Sequence, residues 1–424
     1  MRCSYEPIIP TQSPKLNPTM HANDGTPPTR DDRSLLEVNG LTTRFFTDMG
    51  QINAVERVDL QVGEGEVLGI VGESGSGKSV LANSIIDTVD DPGRIVDGEV
   101  WYRDEDFVDD IRPEYDHAIE EDCVDVRQLS PSLRRWLRGT AFSMVFQDPM
   151  SSFDPTATVG EQIAEAVEAN RRATDNPEAT RSSDQGYGFT SFLASFVLPS
   201  KRFVTSASRQ RAVELLEDVG ISDARQRADE YPHQFSGGML QRAMVAQALA
   251  SEPELLIADE PTTALDVTTQ AQILALLKRL QEERQMSIIL VSHNLGVIAR
   301  MCDRVNVMYA GEIVERGSLR AVFNDPTHPY TQGLIDSLPS LSEVQERLTP
   351  MEGNVPSLRD EVMEERCYFA DRCPHAMDVC LSKPDEYPVN GDSTHLAKCY
   401  LADDSMTTDE ELPEGYFNSG VSDD

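Results

Sequence analysis

Gly72-Glu-Ser-Gly-Ser-Gly-Lys-Ser79 has the spacing G-x-x-x-x-G-K-S, which suits the holding of phosphates. The backbone N–H groups of such a loop surround phosphate oxygens, while a lysine and a hydroxyl reach the terminal phosphate and its Mg2+. Lys78 supplies the cation and Ser79 the hydroxyl. Gly75 and Gly77 let the backbone approach oxygens that a side chain would block. A helix expected from Ser79 to Asp87 begins here, so its N-terminus adds to anion binding. A lone match of this length arises by chance, and its weight depends on companions further along the chain.

Two such motifs come in order, Phe235-Ser-Gly-Gly-Met239 and Leu255-Leu-Ile-Ala-Asp-Glu260. Hydrolysis of ATP needs phosphates held, charge neutralised and a water aimed in line with the leaving oxygen. Four apolar residues ending in Asp259 describe a carboxylate at the tip of a buried strand, a place from which it can hold Mg2+ through water. Glu260, one residue on, can orient or deprotonate the attacking water. The plain alternative is an Asp-Glu pair that caps a helix, and three ordered motifs leave it little room.

The elements that must position these residues read as alternating strands and helices. Strands are expected at Leu36–Val38, Ala54–Val62, Val67–Val71, Leu255–Ala258, Ser287–Val291 and Val305–Tyr309. Helices are expected at Arg211–Val219, Gly238–Ala250 and Thr268–Gln285. The last carries Ile273, Leu276, Leu277 and Leu280 at i, i+3, i+4 and i+7. Such alternation implies an α/β fold with a mostly parallel sheet and helices on both faces.

Around this core, residues 1–34 carry six prolines and no apolar period, the composition of disorder. Acidic insertions are expected near 103–128, as a surface loop, and near 171–208. Residues 336–402 form a Pro- and Cys-containing appendix, and 403–424 an acidic, disordered tail.

The net charge is −36, from 37 Lys+Arg against 73 Asp+Glu. That argues against nucleic-acid binding, which needs a basic footprint. The acidity is scattered as well as clustered, which suits a salt-rich cytoplasm where counter-ions screen self-repulsion. No run approaches the roughly 18–20 apolar residues of a membrane helix, and the N-terminus lacks the apolar core of a signal peptide. A cytosolic chain that meets the membrane only through partners is expected.

At this point the chain resembles the ATPase subunits of ABC transporters. Their fold would be a P-loop NTPase (RecA-like) core with an antiparallel β subdomain, a helical signature subdomain and here a small C-terminal extension. The resemblance implies nucleotide contacts from Gly72, Glu73, Ser74, Gly75, Ser76, Gly77, Lys78, Ser79 and Val80. Gln147, in Val-Phe-Gln-Asp-Pro, is similar to the Q-loop glutamine that contacts Mg2+ or water. Ser236, Gly237, Gly238 and Met239, with Gln241, resemble the signature that binds the γ-phosphate held by an opposite subunit. Asp266 resembles the D-loop aspartate, and His293 the switch histidine that contacts the γ-phosphate. Phe45 takes the position of the aromatic residue that stacks on adenine, with Phe46 as its alternative. Ser79, Gln147 and Asp259 would hold the Mg2+.

Within the family, Phe-Gln-Asp-Pro-Met, Ala-Asp-Glu-Pro-Thr-Thr-Ala-Leu-Asp-Val-Thr and His328-Pro-Tyr-Thr331 are similar to the peptide/nickel importer branch. So is the end of the chain, where Cys367, Cys373, Cys380 and Cys399 have the spacing C-x5-C-x6-C-x18-C. In that branch the extension can carry an iron–sulfur cluster, and four thiolates suit a [4Fe–4S] centre. Free structural thiols, or zinc with His375 or His395 replacing a cysteine, are the other readings. The resemblance implies ATP-driven import of peptides, by closure of an ATPase dimer with a paralogous subunit or with itself. Two membrane permeases and an extracytoplasmic solute-binding protein complete such a system. Import of nickel or another small solute is the alternative, and a soluble ABC ATPase outside transport is a remote one.

Overall fold

The computed structural model describes residues 34–175, 204–263, 265–337, 356, 358–359 and 366–403. Its strands fall into two sheets. The smaller is antiparallel, in the order β2-β1-β4-β6-β5, from β1 (Ser34–Thr47), β2 (Gly50–Gly63), β4 (Gly93–Arg103), β5 (Ile119–Glu120) and β6 (Cys123–Asp125). The larger runs β12-β13-β11-β10-β3-β9-β8-β7. Its parallel part comprises β3 (Val67–Val71), β7 (Phe142–Val145), β8 (Leu255–Asp259), β9 (Ser287–Ser292) and β10 (Arg304–Tyr309). Three antiparallel strands, β11 (Glu312–Ser318), β12 (Tyr387–Val389) and β13 (Asp392–Ala397), extend one edge.

The continuous apolar runs of β3, β8 and β9 reflect burial on both faces. Val67, Val71, Leu256, Ala258, Ile288 and Leu290 enter one core, with the helices Val159–Asp175, Ser206–Asp218, Gly237–Ala248 and Val267–Arg284. Leu68, Ile70, Leu255, Ile257, Ile289 and Val291 enter the other, with the antiparallel sheet and the helix Lys78–Ile85. Successive side chains of a strand point to opposite faces, so each strand serves both cores. Each such valine, leucine or isoleucine contributes about 1.5–3 kcal/mol on burial. That stiffness is what holds the strand ends in place.

Several expectations need correction. Residues 103–128 are not an inserted loop. Asp104 caps a helix, Glu105–Tyr115, by accepting from Phe107 N at 3.0 Å. Phe107, Val108 and Ile111 from that helix are buried in the second core, and Phe107 stacks on Trp136 at 5.1 Å. β6 then pairs with β4. The acidic residues mask an i, i+1, i+4 apolar stripe. β1 also runs far beyond Leu36–Val38, because β2 and β4 pair with it along most of its length.

For the second insertion, residues 176–203 lie outside the described residues, as do 1–33, Ala264 and the 404–424 tail. Its flanks are helical. Glu168, 1% exposed, ties them together by accepting from Arg171, Arg172, Thr205 and Ser208. The appendix is anchored to the core, since β13 pairs with β11 through Glu315↔Ala397 and Arg316↔Leu396.

Candidate active site

The C-terminal ends of parallel strands lie at one edge of a sheet, where open α/β folds bind ligands. Here β3 leads into the phosphate loop, β7 ends two residues before Gln147, β8 ends on Asp259, and β9 ends one residue before His293. Gly75 has φ +82° with open space around its missing Cβ. Gly77 has φ +100°, and a Cβ there would lie 2.2 Å from Ala54 O of β2. Gly75 thus faces outward as expected, whereas Gly77 is required by a neighbouring strand. Gly77 places Lys78 at the first turn of a helix that no side chain caps. Ser74 and Gly75 are exposed, Ser76 is buried and Val80 half-buried.

Lys78 lies along the loop and donates to Gly72 O at 2.9 Å and Glu73 O at 2.8 Å. Burial holds its pKa below the usual lysine range, against the pull of Glu260, Asp259 and Glu73. Ser79 Oγ donates to Asp259 Oδ1 at 3.1 Å. Burial raises the Asp259 carboxyl above its ordinary range, with the Ser79 hydrogen bond working the other way. A hydroxyl and a carboxylate side by side are the hard-oxygen donors that Mg2+ takes, the remaining positions falling to water and phosphate. The residues present therefore fit that ion.

Glu260 has φ +46°, a left-handed backbone that turns its side chain off the end of β8. Its carboxylate accepts from Gln147 Nε2 at 3.3 Å and from Thr263 Oγ1 at 2.8 Å, and meets His293 Nδ1 at 3.0 Å. Burial would raise its pKa, but the hydrogen bonds from His293 and Thr263 prevail and hold it below the usual range. Glu260 therefore stays ionised at neutral pH, the state a base requires. Gln147, Glu260 and His293, which are scattered along the sequence, form one hydrogen-bonded group. Thr263 was not foreseen, although it lies inside one of the family motifs.

The second cluster is different. Ser236 caps the helix Gly237–Ala248, its Oγ accepting from Met239 N at 3.3 Å. Ser236 and Gly237 are exposed. Gly238 packs so tightly that a Cβ would stand 2.7 Å from Thr269 Cγ2. Thr269 in turn is bonded by Asp266, which caps the neighbouring helix. Gln241 does not join the exposed tip. It is 1% exposed, and among the described residues its Nε2 has no hydrogen-bond partner. Its position further round the helix carries it onto the inner face, so its assignment as a nucleotide contact is corrected.

Phe45 shares a face of β1 with Thr43, whose hydroxyl is hydrogen-bonded to Ser84 of the helix Lys78–Ile85 at 2.7 Å. It is half-buried over Gly93, while Phe46 is 47% exposed.

Comparison with known proteins gives two family matches, "ABC transporter" over residues 55–263 and "Oligopeptide/dipeptide transporter, C-terminal region" over 314–380. The dipeptide transport ATP-binding protein DppD of Escherichia coli is 39% identical over 372 residues, 88% of this chain and 98% of the relative. That of Haemophilus influenzae is 41% identical over 347 residues, 82% and 90% of the two chains. The oligopeptide transport ATP-binding protein AppD of Bacillus subtilis is 39% identical over 369 residues, 87% and 97%. The chain belongs to the ABC transporter ATP-binding proteins, in the oligopeptide/dipeptide branch.

The C-terminal region of this ABC ATPase carries a cluster of cysteines. Cys367, Cys373, Cys380 and Cys399 are free thiols lining one small cavity, together with His375 and Met377. Burial pushes Cys367 and Cys399 up to about 12 and Cys373 to about 11, and raises Cys380 too. Among the described residues, no group of three or more His, Cys, Asp or Glu side chains is placed to hold a metal ion. His395 stands elsewhere, paired with buried Glu315 at 2.9 Å. Glu315 also accepts from the backbone N–H groups of Thr327 and His328. Two residues of the C-terminal motifs reach the phosphate loop itself. Tyr330 and Arg372 both bond Glu73, a connection for which the motifs carried no assigned role. Among the described residues, no helix of the ABC ATPase is long and apolar enough to cross a membrane.

Proposed function

We propose that this ABC ATPase energises import of peptides, working at the cytoplasmic face of a membrane through two permease subunits supplied by an extracytoplasmic binding protein. The observation that carries the site is the convergence of Lys78, Ser79, Gln147, Asp259, Glu260 and His293 at one sheet edge. The naming of the full-length relatives supports the substrate.

The Gly72–Val80 loop holds the phosphates of ATP, and Lys78 draws on their charge. Ser79 and Asp259, with Gln147, would hold Mg2+, which would neutralise charge on the phosphoryl group. Glu260 accepts the proton of the attacking water. His293 keeps Glu260 oriented and ionised, and Phe45 stacks on adenine. The exposed tip at Ser236, Gly237, Gly238 and Met239 meets ATP held by a second ATPase subunit, paralogous or identical, with Asp266 bracing it.

ATP turnover of the assembled transporter in vesicles tests the substrate. Stimulation by peptide-loaded binding protein is expected. Stimulation by nickel-loaded protein alone would turn the reading to metal import, and turnover without any permease to a soluble ATPase.

The four cysteines are proposed to hold a [4Fe–4S] cluster. Support comes from their lining of one cavity, a donor set of thiols that suits iron and sulfide. Iron and sulfide analysis of anaerobically purified protein decides it, about four irons per chain being expected. Colourless, iron-free protein would leave structural thiols. The acidic surface is proposed to suit a salt-rich cytoplasm, and circular dichroism along a KCl series should show folding that improves toward molar salt. Equal stability at low and high KCl would dismiss that idea.

A further inference from the structure

Glu73, the second residue of the phosphate loop, is held at three points. Its backbone N–H donates to Tyr330 Oη at 2.7 Å. Its carbonyl accepts from Lys78 Nζ at 2.8 Å. Its carboxylate accepts from both Arg372 Nη1 and Nη2, at 3.0 and 3.1 Å. The N–H and the carboxylate are therefore held from the C-terminal region, while the carbonyl is held within the loop by Lys78 and by the Ser76 N–H.

The Arg372 side chain is only 6% exposed. Its guanidinium lies 5.7 Å from the ring centroids of both Tyr309 and Phe369. Tyr309 packs against Tyr330 at 4.6 Å and Phe369 at 5.2 Å, so the cation sits in an aromatic seat. A two-pronged, charge-assisted bond made from such a seat is strong and directional. A Cβ on Gly72 would fall 2.1 Å from Met308 O of β10. The start of the loop is thus fixed between β10 and the C-terminal region.

We propose that Arg372 and Tyr330 are positioning residues for ATP, acting through Glu73. By fixing the first turn of the phosphate loop they hold Lys78 and the N–H groups beyond it in the binding geometry. The nucleotide then loses less free energy to ordering the loop. This rests on the nucleotide being held by the Gly72–Ser79 loop.

Mg-ATP titration and steady-state kinetics of the full chain in its assembled transporter test it. Arg372→Gln and Glu73→Gln should each raise Kd and KM about tenfold, the loss of one charge-assisted contact, and Arg372→Gln should leave kcat nearly unchanged. The double variant should be no worse than either single one. Arg372→Lys should fall between, and Tyr330→Phe should weaken binding about threefold. The Lys and Phe variants keep the charge and the ring, and they carry the test if Arg372→Gln does not fold. Lys78→Ala separates the two readings. If it binds Mg-ATP normally, the phosphate-loop assignment fails. If it loses binding while Arg372→Lys and Tyr330→Phe bind as wild type, or if the Arg372 and Glu73 effects add, the positioning role is overturned.

Discussion

The phosphate loop and the Ser236 tip are made from the same part, a helix N-terminus entered through glycines, yet they are finished differently. The helix Lys78–Ile85 has no side-chain cap, and Lys78 is buried. The helix Gly237–Ala248 is capped by its own Ser236 and ends at an exposed surface. A helix end left uncapped inside a pocket keeps its N–H donors for an anion. A capped and exposed end has its Met239 N–H met by its own serine, and it presents that serine and its glycines to whatever another surface brings. The first is a binding site in its own right, while the second needs a partner.

The sharpest way to break this contrast lies inside the pocket. Glu260→Gln should lower ATP turnover by at least about 100-fold, the usual worth of a positioned base, while leaving Mg-ATP affinity near wild type. Nucleotide should accumulate in a closed ATPase dimer. Near-normal turnover in the assembled variant would remove Glu260 from the chemistry.

A smaller effect is expected at the tip. Ser236→Ala should leave nucleotide binding by the isolated chain unchanged and cut turnover of the assembled dimer about tenfold, the worth of a hydrogen bond to a charged group. If binding by the isolated chain falls as well, the tip belongs to the same pocket and the contrast fails.

The smallest effect lies away from both helix ends, where Glu168 ties the helix Val159–Asp175 to the helix Ser206–Asp218. The hydrogen bonds from Arg171, Ser208, Arg172 and Thr205 outweigh burial and hold Glu168 down at about 2. Its folded pKa lies below the ordinary value of 4.5, so its stabilising contribution is complete above that value. The contribution is lost as pH falls from there toward 2. Thermal melting between pH 6 and pH 3 should show wild type losing more stability on acidification than Glu168→Gln. Parallel curves would show that Glu168 does not govern the acid limb.

The pocket was legible because its chemistry is written in short, local spacings. Lys78 and Ser79 adjoin, as do Asp259 and Glu260, and each pair sits near the end of an apolar run that reads as a buried strand. Gln147 and His293 also come after such runs, and the sheet brings them together. The helix Glu105–Tyr115 was hidden because acidic side chains cover most of it and leave one narrow apolar stripe. Gln241 was misplaced because motif spacing says nothing of helical phase: two residues beyond Met239 the side chain has rotated inward. The bonds of Tyr330 and Arg372 to Glu73 were invisible for a different reason. They join residues 257 and 299 positions apart, and no local pattern reports such a meeting.

That last separation has a consequence for the birth of the molecule. Ribosomes add about 5–20 residues each second, so Arg372 is made roughly 15 to 60 s after Glu73, given the 299 positions between them. Throughout that interval the growing chain has its phosphate loop without the guanidinium that seats it, and without β13 to widen the sheet beside β11. A nascent chain thus cannot complete its grip on nucleotide until the C-terminal region has been translated.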